Sequence, residues 1–194
     1  MKLTEPENIG ALQLVPGVLR TLGGRSVTPE EFVRKWPGAR SQMQAEMAQQ
    51  LAIPEASRHF LVRAGLPVDV GFNGLGFDLS GPLRRLPDDR SLVEISRPRQ
   101  GGAVVCIHEA EQGPVVQLEP ARSGLIAHLL NSCVERHAAY WLAWRTIIDT
   151  TAGQDGPTTA RLLRQAFAAE DAAAIAGDKL PWSILLHEVE LGVL

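Results

Sequence analysis

The sequence predicts an α+β protein, with helices at both ends and a central antiparallel sheet of about five to six strands. Three observations predict this class. A helix start stands at residues 28–31, short apolar segments separated by turn residues fill residues 68–118, and the chain beyond them has a helical apolar period. A parallel α/β sheet would need helices between its strands, and residues 68–118 leave no room for them. We therefore expect the C-terminal helices to pack on the sheet.

The N-terminal helices are predicted by capping signals. The stretch Thr28-Pro29-Glu30-Glu31 combines an N-cap threonine, proline at the first helical position and glutamate three residues after the cap, which is a capping box. Residues 41–51 favour helix by propensity but carry only a weak apolar stripe. A further helix starts near Pro54 and ends at Gly65, because the Leu66-Pro67 pair that follows cannot continue it.

The middle of the chain predicts strands. Asn73-Gly74 between apolar flanks is typical of a hairpin turn. The unbroken apolar run at 103–107 predicts a central strand covered on both faces. Consecutive strands joined by short turns pair antiparallel. The predicted strands lie around residues 69–72, 75–79, 91–96, 102–108 and 114–118.

The C-terminal part predicts helices. From Gly124 the apolar residues keep a helical period as far as Ile148, and Asn131-Ser132 is a candidate internal cap that would begin a separate helix at Cys133. After a loop, we expect one helix over about 158–169, an alanine-rich helix capped by Gly177, and a last helix opened by Pro181.

Length and composition bound the class of protein. The 194 residues fit a single domain over residues 1–194, with an irregular segment at 1–27 and a helical extension at 150–194. Hydrophobic residues make up 45%, which is enough for a full core. With 19 basic and 22 acidic residues, the formal charge of -3 gives no electrostatic reason to expect direct binding to nucleic acid or to a membrane surface.

Cysteine usage and hydropathy predict a cytoplasmic protein. Cys106 and Cys133 cannot form a disulfide framework, and the first ten residues lack the charged-then-apolar pattern of a signal peptide. No uninterrupted apolar stretch approaches about 18 residues, so we expect no membrane span. Free thiols in a reducing cytoplasm are the simplest interpretation.

The segment FLVRAGLP at residues 60–67 resembles the F-L-x-x-x-G-L-P signature of the SUKH superfamily, in particular its SUKH-4 branch. The resemblance extends over about residues 27–148, and Trp182 is similar to a residue of a late helix in that family. Three further pieces follow in the order of the family, namely the glycine-led strand at 102–107, the next strand at 114–118 and Asn131-Ser132-Cys133. In the last of these, Cys133 departs from the family pattern, in which a serine is usual at that position.

What the resemblance implies is a binding role. Members of the family are mostly bacterial immunity proteins, encoded beside polymorphic toxins that often attack nucleic acids, and they bind and block the toxin. The resemblance therefore implies a cognate protein toxin as partner, no enzymatic activity and no catalytic residues. Two alternatives stay open: a small hydrolase or transferase that uses Cys133 or a histidine, and a regulatory scaffold or secretion accessory protein on the same fold. The oligomeric state is left open.

Two cysteine–histidine pairs are the strongest candidates for chemistry. Cys106 and His108 share a face of a predicted strand, and Cys133 and His137 share a face of a predicted helix. Together they offer a Cys2His2 set to zinc, and Cys133 with His137 offers a nucleophile and a base. Neither pair has the C-x-x-C spacing of structural zinc sites, and an activated thiolate needs an electropositive setting. We interpret the cysteines as buried core thiols and predict no catalytic, cofactor or metal site, unless the four residues converge in a cleft.

Three further motifs have structural interpretations. The segments at 108–111 and 187–190 lack the second histidine of a zinc-protease helix, so we place both at the surface. The glycine-rich segment at 71–76 is followed by strand-like residues and no lysine. It therefore predicts a hairpin and not a phosphate loop.

Partner-binding residues are predicted from arginines and aromatics. Five arginines between residues 84 and 99 allow two interpretations. They could form a basic patch that binds RNA or an acidic partner. We favour the other interpretation, in which they form a charged edge on exposed strands. Arginine is nevertheless enriched in protein interfaces. Tyr140, Trp141 and Trp144 form two helical stripes, for which we favour core packing over a contact surface. The candidate partner-binding residues are Arg84, Arg85, Arg97, Arg99 and Trp144.

Overall fold

The structure, a computed structural model, describes residues 26–72, 74–87, 89–96, 104–109, 112–121, 124–152 and 155–193. Within these ranges the chain forms six α-helices, one 3₁₀ helix and two antiparallel sheets. The predicted α+β class is confirmed.

The N-terminal helices begin and end largely where the sequence predicts. Helix α1 (Pro29–Lys35) starts after Thr28, whose hydroxyl accepts a hydrogen bond from the Glu31 N–H at 3.2 Å, so the predicted cap is confirmed. Helix α2 (Ala45–Ala48) is shorter than the predicted 41–51, because β1 (Arg40–Ser41) pairs with β2 (Leu66–Pro67) and holds the preceding residues extended.

Helix α3 (Glu55–Arg63) ends through Gly65, as predicted. The Gly65 N–H bonds the Phe60 carbonyl at 3.0 Å, and its φ of 70° lies in the left-handed region that favours glycine. A Cβ at this position would lie 2.0 Å from the Ser41 carbonyl oxygen. The glycine therefore allows α3 to end against β1.

The main sheet has five antiparallel strands in the order of the chain. These are β3 (Arg84–Arg85), β4 (Leu92–Glu94), β5 (Val104–His108), β6 (Val115–Ala121) and β7 (Gly124–Asn131). Each strand pairs with the next, which confirms the predicted antiparallel pairing, and β5 is the central strand, as its apolar run predicts.

The helical prediction for residues 124–131 is wrong, because Gly124–Asn131 is the edge strand β7. The spacing of Leu125, Ile126, Leu129 and Leu130 fits one helical face, but it also supplies apolar residues to both faces of a strand. Pairing of β7 with β6 along its whole length satisfies its backbone groups, and this long-range contact overrides the local period.

The predicted strands at 69–72 and 75–79 are also wrong. Residues 71–72 form a bend, and the rest are irregular apart from an isolated bridge between Phe77 and Ser96. The Asp69 carboxylate accepts the Gly71 N–H at 2.7 Å, a local bond that competes with strand pairing. Asn73 lies outside the described residues. On its two sides the Val70 N–H bonds the Leu75 carbonyl at 3.1 Å, but the described residues here form no paired strands.

The C-terminal helices are α4 (Val134–Thr150), α5 (Gly156–Asp171) and α6 (Pro181–Glu190). The α6 start at Pro181 is confirmed. The alanine-rich stretch is a 3₁₀ helix, Ala172–Ile175, which ends at Ala176, so the prediction of a helix capped by Gly177 is corrected. Helices α4 and α6 and the 3₁₀ helix all contact β7.

The sheet has two differently packed faces. We call the face that packs with the helices the inner face. It carries Val93, Ile95, Val105, Ile107, Val115 and Leu130 into the main core. We call the opposite face the outer face. It carries a smaller apolar cluster of Leu92, Cys106, Val116 and Leu118.

Candidate partner-binding surfaces

The two arginines of β3 point to different faces of the sheet, as adjacent strand residues must. Arg84 pairs across the strands with Glu94, and its Nε lies 3.6 Å from the Glu94 carboxylate. Its side chain is partly exposed and borders an open groove together with Arg40 and Asp78. Arg97 and Arg99 lie outside the described residues. A role for these arginines in partner binding stays a prediction.

Arg85 has a structural role. Its two terminal nitrogens bind the two Glu109 carboxylate oxygens at 2.6 and 3.1 Å, and one of them also donates to the Gln50 carbonyl at 3.1 Å. Glu109 accepts the Ala52 N–H at 2.8 Å, and its side chain is only 9% exposed. The surface prediction for residues 108–111 is therefore wrong for Glu109, because the carboxylate ties the sheet to the segment after α2.

Trp144 lies in the core. Its side chain is 6% exposed and packs edge-on against Phe72, with ring centroids 5.6 Å apart. Tyr140 stacks on Phe167 at 4.0 Å, and Trp141 contacts Trp182 at 4.9 Å. Core packing of both aromatic stripes is confirmed. A contribution of Trp144 to partner binding stays a prediction. Because Trp144 is buried, it would act by positioning Phe72, the ring that it contacts.

The two cysteine–histidine pairs do not converge. Cys106 pairs with Val116 and belongs to the outer-face cluster, whereas His137 lies among Phe77, Trp141 and Trp182 in the core on the inner side. The sheet separates them. Within the described ranges, no group of three or more His, Cys, Asp or Glu side chains is placed to hold a metal ion.

Both ring nitrogens of His137 are occupied. Trp141 Nε1–H donates to His137 Nε2 at 3.1 Å, so the proton is on Nδ1, which donates to Asn131 Oδ1 at 2.8 Å. Complete burial lowers the pKa of His137 from 6.5 to about 3. The imidazole is therefore neutral and has no free nitrogen to act as a base for Cys133.

Cys133 is held as a thiol. Burial, helped by the neighbouring Glu135 carboxylate, raises its pKa to about 12, and burial likewise raises the pKa of Cys106 to about 12. Glu135 is itself engaged, since its carboxylate accepts a hydrogen bond from the Ser57 hydroxyl at 2.8 Å. A thiol in this setting is not an activated nucleophile.

A buried polar network around Asp171 joins the end of β7 to α5, and the sequence analysis missed it. Asp171 Oδ2 accepts the Ser132 N–H at 2.7 Å and the Ser132 hydroxyl at 3.0 Å, and Arg136 lies 3.4 Å from Oδ1. Asn131 Oδ1 also accepts the Trp182 Nε1–H at 3.2 Å. The predicted cap at Asn131-Ser132 is corrected, because the N-cap of α4 is Cys133 and Ser132 instead binds Asp171. No local spacing points to this carboxylate 39 residues away.

A groove of about 210 Å³ lies between the inner face of the sheet and α6, and we call it the β6–α6 groove. Its floor is apolar and largely buried. Gln117 and Glu119 of β6 form one wall, and Ile184 and Glu188 of α6 form the other. The floor residues include Val105, Leu130, Trp141, Trp182 and Leu185.

Ile184 exposes an apolar side chain in the β6–α6 groove, and Ile126 exposes another next to the groove residue Glu119. Ile126 of β7 lies directly opposite Glu119, so the two side chains share the inner face of the sheet. Ile126 is 47% exposed and Ile184 is 48% exposed. Large apolar side chains exposed around a concave apolar floor are typical of a binding surface.

Comparison with known proteins gives the family. The family model described as SUKH-4 immunity protein matches residues 29–188, which include every helix and the sheet described above apart from the last residues of α6. No curated protein and no solved structure matches the chain. None of the helices within the described ranges is both long and apolar enough to cross a bilayer. With most of its length matched, the chain belongs to the SUKH-4 immunity protein family.

Proposed function

We propose that this protein neutralises a cognate bacterial toxin in the cytoplasm by binding it in a stoichiometric complex. The observation that carries the proposal is the family match over residues 29–188, since immunity proteins act against toxins. The exposed apolar side chains of Ile184 and Ile126 support a binding role, because such side chains lose unfavourable contact with water when a partner covers them.

The state of the cysteines and of His137 favours binding over a cysteine-dependent hydrolase. A nucleophile and base must lie within hydrogen-bonding reach, and the thiol must ionise near neutral pH. Cys133 has a pKa raised to about 12, and both nitrogens of His137 already bind Asn131 and Trp141. We therefore propose that protection requires contact with the toxin and no turnover.

Co-expression tests this function. The proposed function predicts a toxin gene next to the gene for this chain. The toxin domain that it encodes is expressed in a bacterial host with and without the chain, and growth is measured. We expect rescue, and a 1:1 complex of the purified proteins in isothermal titration calorimetry. Failure of the two proteins to bind would count against the proposal, as would protection at amounts far below one copy per toxin.

A matched variant separates binding from cysteine chemistry. Cys133→Ser preserves the size of the side chain and replaces the thiol with the residue usual in the family. We expect it to protect as well as the natural chain, because the thiol is not ionised. A variant that still binds the toxin but no longer protects would favour the hydrolase alternative.

A further inference from the structure

We propose that the β6–α6 groove is the docking site for the toxin, and that it receives a segment whose apolar side chains are flanked by lysine or arginine. This inference rests on the proposed function for the identity of the partner. The chemistry of the segment follows from the groove itself.

The apolar part of the inference comes from the floor and rim. Ile184 lines the groove and is close to half exposed, and the floor of the groove contains Trp141 and Trp182. Ile126, which lies opposite the groove residue Glu119, is exposed to a similar extent. Both tryptophans are at least 97% buried in the core, so the floor is rigid and preformed. Apolar side chains from a partner would remove the rim from water and rest on aromatic rings, the arrangement found at the centre of tight interfaces.

The cationic part comes from the charges of the walls. Glu119 on β6 and Glu188 on α6 face the groove from its two sides, and none of the described residues that line it is a lysine or an arginine. Glu119 accepts the Gln117 amide at 2.9 Å and lies 3.6 Å from the His128 ring, yet its side chain remains 51% exposed. A lysine or arginine between the two carboxylates is attracted by both, whereas nucleic acid phosphates and acidic segments are repelled.

Binding of the purified toxin domain to full-length variants tests the groove. Ile184→Asp places a charge on the apolar rim, and the double change Glu119→Lys with Glu188→Lys reverses the walls. We expect each to raise the Kd at least thirtyfold, since losses of this size are typical at the centre of an interface. Unchanged circular dichroism spectra establish that both variants fold.

Two matched controls lie on other helices. Val33→Asp adds a charge at an apolar residue of α1 that is 38% exposed, and Glu46→Lys reverses an exposed carboxylate of α2. Both should bind within about threefold of the natural chain. Groove variants that also bind within threefold would overturn the docking site while leaving toxin binding intact.

A peptide probe separates failure of the groove from failure of the proposed function. A twelve-residue peptide of alternating leucine and arginine should shift the tryptophan emission of the natural chain, because Trp141 and Trp182 line the floor. The Glu119→Lys, Glu188→Lys variant should lose this response, and a leucine–glutamate peptide should give none. If the toxin does not bind but the peptides give the expected responses, the proposed function is wrong, whereas the groove is still a site for an apolar, cationic segment. Equal responses to both peptides, or a response that survives charge reversal, overturn the groove.

Discussion

Acidification from pH 7 to pH 5 should destabilise this protein through His137. The imidazole is fully buried, it packs edge-on against Phe77 and Trp141, and burial lowers its pKa from 6.5 to about 3. Protonation would also break the bond that Nε2 accepts from Trp141, because a protonated nitrogen cannot accept. The native state therefore holds the neutral ring throughout this pH range.

The sign and size of the effect follow from linkage. Above pH 6.5 the ring is neutral in both states, and the stability from its burial is fully present. Between pH 6.5 and about 3, the unfolded chain binds a proton that the native state does not, so stability falls as the pH is lowered. Once the pH is well below 6.5 the loss is about 1.4 kcal/mol per pH unit, which gives about 2 kcal/mol between pH 7 and pH 5.

Urea unfolding at pH 7, 6 and 5, followed by far-UV circular dichroism, measures this loss. His137→Gln is the informative variant, because a glutamine amide can accept from Trp141 and donate to Asn131 but does not titrate. The carboxylates and the other four histidines are the same in both proteins, so their contributions cancel in the comparison. We expect the natural chain to lose about 2 kcal/mol more than the variant between pH 7 and pH 5.

His187→Gln is the control, since that side chain is 67% exposed on α6. It should keep the pH dependence of the natural chain. The same pH dependence within about 0.5 kcal/mol for the natural chain and His137→Gln would contradict the lowered pKa of His137, because a buried neutral histidine requires the two to differ.

Three further substitutions or reactions probe the fold and the thiols. Asp171→Ala removes the buried carboxylate that Ser132 and Arg136 bind, so the free energy of unfolding measured in urea should fall by about 3–5 kcal/mol. The control Asp178→Ala, at an exposed residue, should lower it by about 0.5 kcal/mol or less. A loss under about 1 kcal/mol for Asp171→Ala contradicts the network. Gly65→Ala should lower stability by about 2 kcal/mol or more, because φ is 70° and the new Cβ meets a carbonyl oxygen at 2.0 Å; Gly81→Ala, with nothing within 4 Å, should have little effect. At pH 8, Cys106 and Cys133 should react with iodoacetamide at least about a hundredfold more slowly in the folded than in the unfolded chain, because burial raises the pKa of both thiols. Fast alkylation of Cys133 in the folded chain would favour the hydrolase alternative.

Local chemistry explains the elements that the sequence predicts correctly. The start of α1 at Thr28-Pro29, the end of α3 at Gly65 and the start of α6 at Pro181 each depend on one or two residues whose backbone preferences are intrinsic. The central position of β5 follows in the same way from an apolar run that needs cover on both faces.

Elements whose local pattern fits two structures were decided by long-range contacts. The apolar spacing at Gly124–Asn131 fits a helix, and pairing with β6 made it a strand. The described residues between Asp69 and Ser80 include strand-like apolar residues, but they are irregular, and aspartate-to-backbone bonds at both ends compete with strand pairing. The spacing of apolar residues predicts neither outcome. In the first case the partner strand is elsewhere in the chain, and in the second the aspartate side chains bind the backbone in place of a strand.

The candidate sites show the same difference between what local patterns predict and what long-range contacts determine. Local patterns predict the α+β class and the residue types that could do chemistry, because capping and strand signals involve only neighbouring residues. The separation of Cys106 from His137 by the sheet, the bond between Arg85 and Glu109, and the groove between Glu119 and Ile184 appear only in the folded chain. Which face a side chain joins depends on strand register and helix packing, and both are set by contacts between residues far apart in the chain.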